Sequence, residues 1–392
     1  MTLACVIHRY GPQVAGGSEA HCRAIAQRLA ERHDVTVLTS CATDYVTWRN
    51  ALPRGESRDG GVKVLRFPVD RPRPMNRFRV LSDLVFDGRA TVEEQVEWFA
   101  ANGPSLPGLL SHLQVDGHAY DRVLFWAFRY APTWFALPLV ADRAVLLPTA
   151  EDDDLIRTST LLGPYFRRPR ACLFLTPEER DLVAARCEGP LPPSDIIGMG
   201  LDPAPAAPPR GPLDALGLPR DYLLYLGRVD KNKGCDRLFD AFVEYDRRVT
   251  ADGAGNALPL ILAGPVVLPV PAHPRIRALG FVDDRTREAL LAHARALVMP
   301  SPYESLSIVV LEAWNHRRPV VVNGRCGPLA GQVRRANGGL SYYWPDEFVG
   351  AVRYLADHPD HADRLGAQGF AYVEREYRWP LVMAKIEALL DR

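Results

Sequence analysis

Short apolar runs alternate along the chain with longer stretches whose apolar positions recur at helical spacing. Residues 2–8 (TLACVIH) read as a buried strand. A loop ending in Gly16-Gly17 follows, then a helix over 18–32 with Ser18 as its cap and Ala24, Ile25, Leu29 and Ala30 on one face. Residues 34–40 (DVTVLTS) form the next strand. Strand, glycine loop, helix and strand in that order predict the start of a doubly wound parallel sheet. The alternation continues with strands at 62–67, 122–127, 143–147 and 171–176 and helices at 91–102, 104–113, 131–139 and 177–186. Segment 195–199 closes this half. Residues 202–212 (DPAPAAPPRGP) hold five prolines in eleven positions and read as a stiff linker. Beyond it the pattern restarts. Strands are expected at 222–226 (YLLYL), 260–263, 276–282, 295–299 (RALVM) and 319–323. Helices are expected at 235–247, 283–294, 345–356 and 361–375, with a last amphipathic helix at 379–390.

Length and composition narrow the class. A chain of 392 residues suits two domains. Lys+Arg and Asp+Glu both number 47, so no net charge draws the chain to nucleic acid or to an acidic membrane. The seven cysteines are scattered without a C-x-x-C pair, which argues against a disulfide framework or a zinc site and fits a reducing cytosol. No apolar run approaches the ~18 residues of a membrane span, and the N-terminus lacks the layout of a signal peptide.

The candidate chemistry centres on residues 301–315, SPYESLSIVVLEAWN. A strand leads into a Pro-flanked loop and a helical run to about residue 316. Ser305 or Ser307 can cap that helix, and Leu306, Val309, Val310 and Ala313 give it an apolar face. Glu304 then sits at the helix mouth and Glu312 about two turns inside, roughly 12 Å apart. That is about the span from the sugar of a nucleotide sugar to its ribose, with a phosphate-friendly helix N-terminus between. The bland alternative is an ordinary strand–loop–helix with two solvated glutamates. Residues 227–234 (GRVDKNKG) form a basic loop after a strand, where Arg228 can fork onto a diphosphate and Lys233 can add a point charge. A polar turn is the plain alternative. The loop 324–331 (GRCGPLAG) is rich in small residues, so its backbone can also approach a phosphate. Residues 148–154 (PTAEDDD) invite a metal reading, but the acids also suit a helix N-terminus, which is the reading adopted. Residues 66–79 carry Arg66, Arg71, Arg73, Arg77 and Arg79 against Asp70, with Pro72 and Pro74 keeping the segment from regular helix. It reads as a solvated loop, or as a basic rim meeting an anionic acceptor or lipid headgroups.

The glutamate pair on its strand–loop–helix, the GRVDKNKG loop and the N-terminal GGSE loop together resemble retaining glycosyltransferases of the GT-B fold, family four (glycosyl transferases group 1). The motifs stand in family order over nearly the whole chain. The resemblance implies an α/β fold of two Rossmann-like domains facing each other across a cleft. Residues 1–201 would form the N-terminal acceptor-side domain, 202–212 the linker and 213–375 the nucleotide-sugar domain. Residues 376–392 would be a helix crossing back to the first domain. It also implies that Arg228 and Lys233 bind the diphosphate, that Glu312 takes the ribose hydroxyls and that Glu304 lies near the donor sugar. Gly16 and Gly17 would close on the donor, and Ser305 and the Leu306 N–H would lie at the phosphate. Phe281 and Val282 would lie near the base. Arg228, Lys233 and Glu304 are then the catalytic candidates. No cofactor and no metal are implied, the nucleotide sugar being a co-substrate. Retention in the family is attributed to front-face attack by the acceptor hydroxyl, so no protein nucleophile is nominated, unlike the two-carboxylate glycosidase scheme. Two departures stand out. Glu151 occupies the place of a histidine that usually touches the donor sugar, and 324–331 lacks an acid found in many relatives near Gly331. The expected function is metal-independent transfer of a hexose from a nucleotide sugar to a glycan or lipid-linked acceptor during polysaccharide biosynthesis. It would take place in the cytoplasm, with no nucleic acid partner and with residues 66–79 available for peripheral membrane contact. The alternative is a non-catalytic subunit that binds a nucleotide sugar or glycan; a third reading is a GT-B epimerase or phosphorylase.

Overall fold

The apolar runs of the first half pair into one eight-stranded sheet in the computed structural model, which describes residues 1–205, 208–253 and 257–392. Its strands are β1 (Thr2–Val6), β2 (Asp34–Ser40), β3 (Gly55–Asp59), β4 (Val62–Phe67), β5 (Arg122–Trp126), β6 (Ala144–Leu147), β7 (Ala171–Phe174) and β8 (Ser194–Ile196). The order is β3-β4-β2-β1-β5-β6-β7-β8, parallel except for β3. β1 is central, with Leu3 opposite Val35 of β2 and Arg122 of β5. The second half gives a six-stranded parallel sheet of β9 (Leu223–Leu226), β10 (Leu260–Ala263), β11 (Ile276–Ala278), β12 (Ala296–Met299), β13 (Val320–Asn323) and β14 (Gly339–Tyr342). Its order is β11-β10-β9-β12-β13-β14. β9, β10, β12 and β13 are buried along their whole length, which explains why they read as continuous apolar runs rather than alternating ones. The chain divides into two compact units, Met1–Met199 with Pro380–Arg392 and Gly200–Trp379. Each unit is an open α/β sheet of mostly parallel strands.

Several local expectations need correction. The first helix runs Gly17–Leu29, and its cap position is held by Gly16 without a side-chain bond, so Ser18 lies inside the first turn rather than capping it. The basic segment 66–79 is not one loop. Arg66 belongs to β4, and Pro74 hands over to a helix, Met75–Phe86, that takes in Arg77 and Arg79. Proline forbids a helix interior but not the residue before a helix. The same principle shortens two other loops. A helix, Gly327–Ala336, starts within 324–331 with Pro328 in its first turn. A short helix, Gly211–Ala215, starts within the proline-rich 202–212, of which residues 206 and 207 lie outside the described residues. β3 (GESRD) and β14 (GLSY) were not foreseen: both are edge strands without a fully buried face, so neither carries an apolar run.

Candidate active site

In the second sheet the chain leaves β9 toward β10 on one side, and β12 lies on the other. This is the topological switch point, where loops diverge beyond the strand ends and open α/β sheets take their ligands. The loop after β9 carries Arg228 and Lys233, and the loop after β12 carries Glu304. Lys233 Nζ lies 2.8 Å from Glu304 Oε1, and Arg228 Nε lies 3.0 Å from Asp230 Oδ2. Gly234 allows the two loops to meet. Its φ is 72°, and a Cβ there would stand 2.5 Å from the Pro300 carbonyl oxygen, a backbone atom that no rotamer change can move away. The β12 loop is fastened on its other flank as well. Asn323 Nδ2 donates to the carbonyls of Pro300 and Ser301, both at 3.3 Å, and the Ser301 hydroxyl donates to the Tyr303 carbonyl at 2.9 Å. Tyr225, inside β9, donates its hydroxyl to the Arg228 carbonyl at 2.7 Å.

The helix after this loop starts later than expected. It runs Ile308–Asn315; Ser307 stands at the cap position but makes no side-chain capping bond. Glu304, Ser305 and Leu306 therefore lie in the loop, and the free N–H groups of the helix belong to its first residues from Ile308 on. Glu304 and Glu312 therefore do not share one continuous helix, and no regular helical rise separates them. The buried face consists of Val310, Leu311, Ala313 and Trp314, while Val309 is only half-buried. Trp314 anchors the helix: its indole N–H donates to the Gly338 carbonyl at 2.7 Å, and a Cβ on Gly369 would stand 2.1 Å from the ring. This fixes Glu312 two positions before it. Glu312 is not a solvated carboxylate. It is mostly buried and forms an ion pair with Arg287, which also approaches Glu288 at 3.4 Å. Burial pushes the Glu312 pKa up, and Arg287 opposes it. Phe281 is 82% exposed on the loop after β11, with Val282 half-buried beside it.

The first unit has its own switch point, between β1 and β5. Residues that the sequence reading did not nominate converge there. His8 and Arg9 follow β1, and Glu19 reaches back from the first helix. Glu19 takes His8 Nε2 at 3.0 Å and pairs with Arg9; all three are buried. His8 stacks on Tyr130, which follows β5, with ring centroids 3.7 Å apart. Burial lowers the pKa of His8. Burial works against the Glu19 charge too, but His8 and Arg9 outweigh it and hold the carboxyl down to about 2. The signal available in the sequence was a charged pair directly after a buried strand, with an acid in the following helix's first turn. Gly16 is tight against the Glu19 carboxylate, while nothing lies within 4 Å of where a Gly17 side chain would begin.

Glu151 lies on the loop after β6, 3.6 Å from Arg129 Nη2, which also holds Asp153 at 3.0 Å. Asp153 accepts the Ile156 N–H and caps the helix Asp154–Thr158. The loop is held from below by Glu179, whose fully buried carboxylate accepts the N–H groups of Ala150 at 2.7 Å and Leu175 at 2.6 Å. Burial pushes the Glu179 pKa up to about 8. Among the described residues no three His, Cys, Asp or Glu side chains converge as a metal-ligand set, and no helix is long and apolar enough to cross a membrane.

Residues 220–358, which carry the β9–β12 site, match the family Glycosyl transferases group 1. Glycogen synthase of Mycobacterium tuberculosis is 26% identical, over 97% of this chain and 92% of its own. The GDP-mannose-dependent alpha-(1-6)-phosphatidylinositol monomannoside mannosyltransferase of the same organism is 28% identical, over 97% and 95%. Among solved structures, the Anabaena HepE protein in complex with UDP and glucose superposes with a TM-score of 0.69 over 100% of this chain and 99% of that one, at 15% identity.

Proposed function

We propose that this chain, a glycosyltransferase with the GT-B fold, moves a hexose from a nucleoside diphosphate sugar to a hydroxyl of a glycan or glycolipid, with retention and without a metal. The observation that carries this reading is the Lys233–Glu304 ion pair at the β9–β12 switch point, with Arg228 on the same loop. Two cations are held there by two carboxylates, Glu304 and Asp230. An arriving diphosphate replaces those partners with its own oxygens. Lys233 and Arg228 turn to the phosphates, and Glu304 is released to a hydroxyl of the donor sugar. Glu312, steadied by Arg287, offers its other oxygen to the ribose.

The chemistry follows from charge. The bond between the anomeric carbon and the terminal phosphate oxygen breaks, and its electron pair stays on the diphosphate. Arg228 and Lys233 stabilise that growing charge more strongly than they stabilise the ground state, which is how they lower the barrier. The acceptor hydroxyl attacks from the face the diphosphate leaves and passes its proton to a departing phosphate oxygen. No side chain is needed as nucleophile. The named relatives support the donor class, one being GDP-mannose-dependent, and HepE was solved with UDP and glucose. Glu151 lies 3.6 Å from Arg129 in the first unit, and its carboxylate can accept a hydrogen bond from a sugar hydroxyl.

The test is thermal unfolding against UDP-, GDP-, ADP- and dTDP-sugars with EDTA present. A ligand at about 100 times its Kd stabilises the native state by about 2.7 kcal/mol. A shift with one base class, kept in EDTA, is the expected result. No shift with any of them, or a shift abolished by EDTA, overturns the metal-free diphosphate site.

A further inference from the structure

The stretch between β4 and the helix Met75–Phe86 carries arginines that the transfer reaction does not use. A cavity of about 250 Å3 opens beside them, lined by Arg71, Arg73 and Arg77 with Trp48, Glu97 and Ser105. The three arginines are in different states. Arg77 is paired with Glu97, its Nε 2.7 Å from Oε1. Arg73 is half-buried and fixed by neutral groups: Nε and Nη2 donate to the Asn102 carbonyl at 3.1 and 2.7 Å, and Nη2 also reaches Asn102 Oδ1 at 2.9 Å. Its guanidinium lies 5.1 Å from the Trp48 ring centre and 4.6 Å from that of Phe78. Burial lowers its pKa, and among the described residues no carboxylate forms an ion pair with it. A partly desolvated cation held in place by neutral acceptors is costly to keep charged unless an anion joins it. Arg71 is exposed at the rim. The cavity also reaches the start of the helix at Pro74, where no side chain caps the helix. The first intrahelical bond there is from the Phe78 N–H to the Pro74 carbonyl, at 2.8 Å. The preceding N–H groups have no intrahelical acceptor and add a partial positive charge.

We infer that this cavity binds a phosphate group, carried by the acceptor. The cavity lining sets three guanidinium groups against one carboxylate, Glu97, with Asp44 acting on Arg73 from outside it, and the exposed Arg71 fork beside a helix N-terminus suits a tetrahedral anion with several oxygens. The size agrees. A volume of about 250 Å3 falls below the ~300–1,000 Å3 of ordinary ligand pockets, so a headgroup-sized anion fits and an oligosaccharide does not. The word acceptor rests on the transferase reading above; the anion site itself does not. The phosphate can belong to a soluble sugar phosphate or to a phospholipid headgroup, and the same chemistry serves both.

The experiment uses the full chain and its Arg71→Ala variant. Arg71 is exposed, so the fold is not at risk. Glucose 6-phosphate, with glucose as the neutral control, is titrated by calorimetry. Vesicles of phosphatidylcholine with and without phosphatidylinositol are tested by co-sedimentation. The expected result is binding of one phosphate-bearing probe over its neutral control, at least tenfold weaker in Arg71→Ala, and weaker at high salt. Binding of the sugar phosphate alone identifies a soluble acceptor; binding of the vesicles alone identifies a lipid-linked one. Dependence on Arg71 separates this site from adventitious phosphate binding at the β9–β12 loops. Binding of neither probe, or equal binding by both proteins, overturns the inference. Thermal shifts with the nucleotide-sugar panel, read on the same two proteins, keep the two readings apart. An Arg71-dependent phosphate site without any nucleotide shift sinks the transferase reading alone, and a nucleotide shift without the phosphate site sinks this one alone.

Discussion

Replacing Glu179 with Gln tests how the loop bearing Glu151 is held. The buried Glu179 carboxyl titrates at about 8, against 4.5 for the free group. Between those values the folded state keeps a proton that the unfolded chain has released. The stability contributed by this group is therefore fully present below about 4.5 and is lost as pH rises through about 8. One pKa unit is worth about 1.4 kcal/mol, so the slope inside the window is at most about 1.4 kcal/mol per pH unit. For a folded unit of ~150–250 residues, 1 kcal/mol moves Tm by about 2–4 °C, which gives about 3–6 °C per pH unit. Other groups titrate in the same range. His8 and His21 are buried with lowered pKa values, His21 at about 4, so they add stability as pH rises toward 6.5 and partly mask the effect. The comparison that isolates Glu179 is Tm against pH for the wild type minus that for Glu179→Gln, because the histidine contributions cancel. Gln cannot ionise, and its amide keeps one acceptor for the two N–H groups at Ala150 and Leu175. The wild-type advantage should shrink steadily from pH 5 to pH 8. Parallel curves over that range would refute the reasoning and leave Glu179 ionised throughout, stabilised by its two N–H donors.

Three further substitutions probe the two switch points. Glu312→Ala should raise the Kd for the nucleotide about 10–100-fold, the worth of a hydrogen bond to a charged group, with the circular dichroism spectrum unchanged; unaltered affinity would remove Glu312 from the site. Arg228→Ala should lower kcat more than it raises KM, since the charge Arg228 meets grows in the transition state; a change confined to KM would make its role simple binding. Glu19→Ala leaves Arg9 buried without its carboxylate, at a cost of about 3–5 kcal/mol and about 6–20 °C in Tm. A loss of only a degree or two by scanning calorimetry would mean that the cluster is solvated.

Where the sequence was legible, the reason is burial on both faces. β9, β10, β12 and β13 present unbroken apolar runs, and the loops between them and their helices follow from the alternation alone. The edges were not legible, because β3 and β14 satisfy their backbone by pairing with a neighbour while their side chains remain partly in water. Helix starts at Pro74, Pro328 and Pro212 were hidden for a different reason. Proline was read as a breaker, and its fixed φ serves equally well in the first turn. Within the site, residue types and spacing brought out Lys233 and Glu304, but not that they would be bonded to each other. That pairing depends on β9 and β12 being neighbours, which is a property of strand order. The same holds for Glu312: Arg287 and Glu312 are far apart in sequence, and only the packing of their helices makes the partner visible. The His8–Arg9–Glu19 cluster has a comparable origin, since an isolated Glu in a first helical turn looks like dipole compensation.

The first unit is not continuous in sequence. Its last part, Pro380–Arg392, belongs to the final helix Trp379–Leu390 and its end, and it buries Val382, Ile386, Leu389 and Leu390 in that unit. His33 is tied to Glu387 at 2.8 Å, and Lys385 to the Ile196 carbonyl at 3.0 Å. Domains usually fold in the order in which a ribosome makes them, the N-terminal one first. Here that order is reversed. The second unit is contiguous and has all its residues before the first has its closing helix, so the sheet built on β1 must wait, with an apolar face uncovered, while about half of the chain is still being made. A nascent chain of this protein spends much of its synthesis in that state, and a chaperone that shields apolar surface would matter most for the part that emerges earliest.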